Sequence, residues 1–118
     1  MRLSDAEWKI ADCLWNNNSM TITELTKALG PSTGWTKNTI ITLLKRMTEK
    51  GAVTYVQEER AKSFRPAIER KEAEIEETNS FLDKVYKGNV GLMLSNLIDS
   101  EQLTDEQLEE LRKIIREG

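Results

Sequence analysis

Asn38, Thr39, Thr42, Lys45 and Arg46 are the residues whose types and spacing could do chemistry. Placed at 100° per residue from residue 35 onward, they share one helix face with Glu49, and Ile40, Leu43, Leu44 and Met47 share the opposite one. A helix that is apolar behind, with Thr, Asn, Lys and Arg in front, is suited to a DNA major groove. Thr36, Thr39 and Thr42 fit phosphate oxygens or a thymine methyl, and Lys45 and Arg46, a turn or more from the helix start, fit phosphates. A solvated face would explain the same residues in an isolated amphipathic helix. The elements around this one decide between the two.

Bond-making chemistry lacks its ingredients. The chain has no histidine, so a histidine-built metal site and a Ser-His or Cys-His nucleophile are excluded. Ser63 and Ser95 have no partner at motif spacing, and there is no Gly-rich phosphate loop. Asp105, Glu106, Glu109 and Glu110 sit early in a capped helix, where acidic residues favour the dipole, so they read as a solvated face and not a metal cluster. No catalytic residue, cofactor or metal is expected. Cys13 is the only cysteine, which fits a reducing compartment and a buried structural thiol.

Charge is unevenly placed. The net charge of -3 combines +3 over residues 1–72 with -6 over residues 73–118. Residues 35–65 alone carry 7 basic and 3 acidic side chains, the local basic footprint of a nucleic-acid binder. The 31% of charged residues exceeds the usual ~25% and predicts solvated helices. The N-terminus runs straight into an amphipathic pattern with no signal peptide, and no run approaches the ~18 apolar residues of a membrane span. A soluble cytoplasmic protein without direct membrane insertion is the expectation.

The positioning elements follow from caps and periodicity. Ser4 with Glu7 opens a first helix whose stripe holds Trp8, Ala11 and Trp15, closed by Asn16–Asn18; both tryptophans read as core. Thr21 with Glu24 opens a second, with Leu25, Ala28 and Leu29 on its buried side and Gly30-Pro31 as its stop. Residues 31–34 form a turn. Thr36 caps the third helix, which runs to Lys50 and ends at Gly51. Trp35 either stacks on sugar-phosphate or packs between the second and third helices. Residues 53–57 and 63–65 pair around a 58–62 turn, placing Arg60 and Lys62 at a hairpin tip. From Glu69 the composition changes to three further helical segments: 69–87, 90–98 and one opened by Thr104 with Gln107.

The fold class is mostly α: a winged helix-turn-helix over residues 1–68, of three helices plus a short β-wing, with a C-terminal helical dimerisation arm over 69–118. The arm's apolar stripes have no obvious partner within so short a chain, so a second copy should cover them. The residues assigned to that pairing are Leu82, Val85, Tyr86, Met93, Leu94, Leu97, Leu108, Leu111 and Ile115. Two copies also match the symmetry of an inverted repeat in DNA.

These residues also resemble a known family, the penicillinase and methicillin-resistance repressors (the BlaI/MecI family) with their copper-responsive CopY branch. The resemblance rests on LSDAEWKIADCLW at 3–15, WTKNTIITLLKRMTEKG at 35–51, TNSFLDKVYKGN at 78–89 and LTDEQLEELRKII at 103–115. It implies a dimeric repressor of a double-stranded operator with a TACA/TGTA-type inverted repeat, the third helix contacting bases and the wing contacting the backbone. On this chain the implied positions are Trp35, Thr36, Lys37, Thr39, Thr42, Lys45 and Arg46, with Arg60 and Lys62 in the wing; Asn38 joins them from the helix face. In antibiotic-resistance members, the resemblance implies, a membrane sensor protease triggers cutting at an Asn-Phe bond in the C-terminal helices. The matching bond here is Asn96-Leu97, with the asparagine kept and the aromatic replaced. The copper branch uses a C-terminal cysteine cluster, and no cysteine follows Cys13.

Two other readings compete. A winged-helix protein-protein adaptor predicts an apolar or acidic recognition face, and this face is neither. A ligand-responsive regulator of the same fold would keep the DNA-binding face and replace proteolysis by a small molecule.

Overall fold

A computed structural model describes residues 1–118. The elements run α1 (Asp5–Asn17), β1 (Met20–Thr21), α2 (Ile22–Thr33), α3 (Lys37–Glu49), β2 (Val53–Gln57), β3 (Lys62–Pro66), α4 (Arg70–Tyr86), α5 (Val90–Asp99) and α6 (Asp105–Glu117). They fall into two units, Met1–Glu77 and Thr78–Gly118. The first turns of α4 therefore belong with the winged helix, nine residues beyond the composition change at Glu69. Ala73 explains the difference: it is buried and joins the core of the first unit.

Local chemistry sets the helix starts. Ser4, Thr21 and Thr104 each cap a helix reciprocally with Glu7, Glu24 and Gln107, satisfying otherwise orphaned amides. Thr36 caps α3 through the amide of Thr39. Two expectations for α2 are corrected. The helix does not stop at Gly30-Pro31 but continues to Thr33, with Pro31 inside it. Its last turn is held by the Thr33 hydroxyl, which donates to the Leu29 carbonyl at 2.6 Å, and by the Gly34 amide on the Gly30 carbonyl at 2.8 Å. Gly34, at φ +74°, supplies the left-handed stop. Ala28 is exposed, because the stripe is centred on Leu25 and Leu29 and a methyl at its margin does not reach the core.

The core of the first unit sits between α1, α2 and α3 under the small sheet. Ile10, Leu14, Leu25, Ile40, Leu44 and Met47 are its largest fully buried side chains. Burial of each such side chain contributes about 1.5–3 kcal/mol. The sheet has three strands, not the two of a simple hairpin, in the order β1-β3-β2. β1 pairs Met20 with Phe64 and Thr21 with Ser63, antiparallel. β2 pairs Val53 with Pro66 through to Gln57 with Lys62, so the wing tip is residues 58–61. The pairing through β1 fastens the wing to the start of α2.

Two further ties hold the wing's exit to α1. The Trp15 indole N–H donates to the Ile68 carbonyl at 3.0 Å, and Arg70 pairs with Asp12. Trp8 and Trp15 pack edge to face at 5.5 Å, half-buried against the core.

Within the second unit, α5 and α6 contain no buried residue. Val85, Val90, Leu92, Ile98, Ile114 and Ile115 are all exposed.

Candidate nucleic-acid interface

The face of α3 that carries the candidate residues is formed by what lies behind it. Ile40, Leu43, Leu44 and Met47 are buried, which fixes the helix's rotation about its own axis. Lys37, Asn38, Thr42, Lys45 and Arg46 are consequently exposed, and Thr39 is half-buried. Asn38, Thr39, Thr42 and Arg46 line one shallow groove on this face.

Part of the polar capacity is already used. The Thr36 hydroxyl accepts from the Thr39 amide at 3.4 Å, and the Thr42 hydroxyl donates to the Asn38 carbonyl at 3.0 Å. Thr42 therefore offers outward an acceptor lone pair and its methyl, a combination suited to a base edge. Trp35 is half-buried and packs against the core, with its amide donating to the Thr33 hydroxyl at 3.1 Å.

The structure brings Lys37 together with the wing. A polar recess of about 290 Å³ is lined by Lys37, Arg60 and Lys62 with Thr21, Thr23 and Gln57. Three cations around one recess give it a positive charge suited to an anionic group such as a phosphate. Thr23 and Gln57 were not legible as site residues. Thr21 was legible only as a cap, since nothing local signals that the start of α2 meets the wing. Lys62 also lies over the Tyr55 ring, its ammonium 4.4 Å from the centroid.

Ion pairing leaves every basic residue of the α3 face and the wing without a carboxylate partner. Within the first unit the pairs involve Met1, Arg2, Lys50 and Arg70. Lys37, Lys45, Arg46, Arg60, Lys62 and Arg65 pair with no carboxylate within 4.0 Å. These six lie on the α3 face and the wing; Lys9, Lys27 and Lys71 of the same unit are unpaired as well. Their field is free to act on an anionic partner.

Behind α3, Glu7 is a buried carboxylate, 2% exposed. It accepts from Lys50 Nζ at 2.8 Å and from the Ser4 amide at 2.8 Å. Lys50 Nζ also donates to the Arg2 carbonyl at 2.7 Å. Burial pushes the Glu7 carboxyl up, but the Lys50 bond and charge with the Ser4 amide and hydroxyl outweigh it and hold the group below the usual glutamate range. The pair ties the C-cap of α3 to the N-cap of α1, so it positions the face without belonging to it. Cys13 is half-buried, and burial together with the Asp12 charge raises its thiol above the usual range. No group of three metal-ligating side chains lies together, and no helix is long and apolar enough to cross a membrane.

In the second unit, Leu82, Tyr86, Met93, Leu94, Leu97, Leu108 and Leu111 are half-buried, and Val85 and Ile115 are exposed. Asn96 is exposed within α5, its amide 3.3 Å from the Tyr86 hydroxyl.

Comparison with known proteins places this geometry. The chain is 31% identical to a penicillinase repressor of Bacillus licheniformis over 98% of its own length and 91% of that protein's. It is 25% identical to the methicillin resistance regulatory protein MecI of Mammaliicoccus sciuri over 96% of its length and 92% of that protein's. Among solved structures, the monomeric form of Bacillus licheniformis BlaI in complex with the blaP half-operator superposes with a TM-score of 0.54 at 31% identity, covering 60% of this chain and 87% of that one. MarR from E. coli, at 17% identity and a TM-score of 0.55 over 98% of this chain and 76% of that one, shares the winged-helix fold. The penicillinase repressor family model matches residues 3–117, and the chain belongs to that family.

Proposed function

We propose that this protein is a dimeric, sequence-specific transcriptional repressor that binds a TACA/TGTA-like inverted repeat in double-stranded DNA. In this reading α3 enters the major groove. Asn38, Thr39 and Thr42 meet base edges, and Lys45 and Arg46 meet phosphates, with Trp35 and Thr36 at the helix start. Lys37, Arg60 and Lys62 hold one further phosphate between α3 and the wing. The observation that carries the reading is the unpaired cationic face of α3 and the wing, set on a buried apolar back. Likeness to a half-operator-bound BlaI over 60% of the chain supports it.

The unpartnered apolar faces of α4, α5 and α6 support pairing of two copies, so that two α3 helices meet the two halves of the repeat. Release follows from a cut at Asn96-Leu97, triggered by a membrane sensor protease. The exposure of Asn96 supports access, although the bond lies inside α5 and must first unwind.

The test is a fluorescence-anisotropy titration of a duplex carrying the dyad, against a scrambled duplex, at several salt concentrations. Tight, dyad-selective binding that weakens steeply with salt is expected. Equal and weak binding to both duplexes would refute the reading and favour a protein partner for the winged helix.

A further inference from the structure

A second cavity lies on the other side of α3's exposed edge, between that helix and the wing. It measures about 360 Å³. Its floor is apolar, made by Ile22, Leu44 and Phe64, and Ile41 forms the wall on α3. Tyr55 closes the wing side, its ring 5.4 Å from that of Phe64 and tilted by 48°. Ile41 and Tyr55 remain 41% and 42% exposed, so water now covers surface that an apolar body would cover at a gain. Small-molecule sites have this make-up: a concave apolar lining of about 300–1,000 Å³ with a few placed polar groups.

The polar groups define the ligand's charge. Lys45 and Lys62 stand at the rim, with Glu49 as the one carboxylate. Neither lysine is paired with a carboxylate within 4.0 Å. The rim is therefore net positive by one charge. An apolar lining that includes the Tyr55 and Phe64 rings, with a cationic rim, fits a flat ring bearing one anionic group.

We propose that this cavity binds a small aromatic carboxylate and that the bound molecule weakens DNA binding. The ring lies against Ile41, Tyr55 and Phe64, and the carboxylate takes Lys45 and Lys62. The first part stands on the cavity alone. The second rests on the DNA-binding reading, because it assigns the same two lysines to phosphates.

The test is a titration of the ¹⁵N-labelled full chain with sodium 2-naphthoate, followed by amide chemical shifts, with uncharged 2-naphthamide as control. Saturable shifts are expected at Ile22, Ile41, Leu44, Thr48, Tyr55 and Phe64, weaker for the amide. Ile41→Glu, at a position already part-exposed, should abolish them. Should that variant fail to fold, Lys45→Gln with Lys62→Gln should remove the preference for naphthoate over naphthamide. Shifts confined to residues 78–118, equal binding of the two compounds, or no shift at millimolar naphthoate would each overturn the site. Saturating naphthoate should raise the dissociation constant for the dyad duplex about fivefold or more. An unchanged constant with the site occupied would overturn the regulatory half. A chain that binds naphthoate here and no DNA would count against the DNA-binding reading instead.

Discussion

The first 77 residues and the remaining segment from Thr78 treat their apolar side chains in opposite ways. In the first unit, fifteen hydrophobic residues fall in one buried core, and the polar face of α3 is held by that packing. In the second, α5 and α6 have no buried residue, and Ile114 and Ile115 are 59% and 65% exposed. One unit closes on itself and presents a cationic face. The other presents an apolar face, which is costly in water unless another surface covers it. The contrast is between a unit that packs a core behind its polar face and one whose helices leave their apolar side chains in water.

The sharpest way to break this contrast is to delete equivalent apolar groups on the two sides. Leu44→Ala, in the core, should lose about 2–5 kcal/mol of stability by denaturant unfolding at any protein concentration. Ile115→Ala should lose little in dilute protein and more as concentration rises, because its partner is supplied by association. Equal, concentration-independent losses would erase the distinction. Leu111→Asp should shift the protein to monomer by sedimentation and weaken DNA binding with it. A full dimer would show that the arm is covered in another way.

A smaller effect is expected at Glu7, the buried anchor behind α3. Glu7→Gln should lose about 1–3 kcal/mol at neutral pH, since Lys50 is left without its anionic partner. Because the folded carboxyl lies below its unfolded value, the stabilisation is present above about pH 4.3 and is lost as pH falls through the folded value. Melting curves should show wild type and variant converging on acidification. A constant gap down to pH 3 would contradict the ion pair. The smallest effect on the fold is expected for Arg46→Ala: stability within about 0.5 kcal/mol, with weaker DNA binding and a salt slope reduced by about 1. A large loss of melting temperature would make Arg46 structural.

Features legible in the sequence were those set within a few residues. The capping boxes at Ser4, Thr21 and Thr104, and the two faces of α3, depend on spacings of three and four and emerged as expected. Features set across the chain were not legible. β1 is two residues long and exists because β3 pairs with it, its partners 42 and 44 residues away. Glu7 read as a cap partner only, since Lys50 lies 43 residues on. Pro31 read as a stop because proline usually breaks helices, but in the last turn Thr33 and Gly34 support it. The recess joining Lys37 to Arg60 and Lys62 depends on how the wing docks against α2, which no local pattern encodes.

The central claim, a recognition unit paired by its arm, is tested most directly by native mass spectrometry of the full chain with a duplex carrying the dyad. The account predicts two protomers per duplex, and no species with one protomer when protein is limiting. Stepwise loading of single protomers on independent half-sites would contradict it.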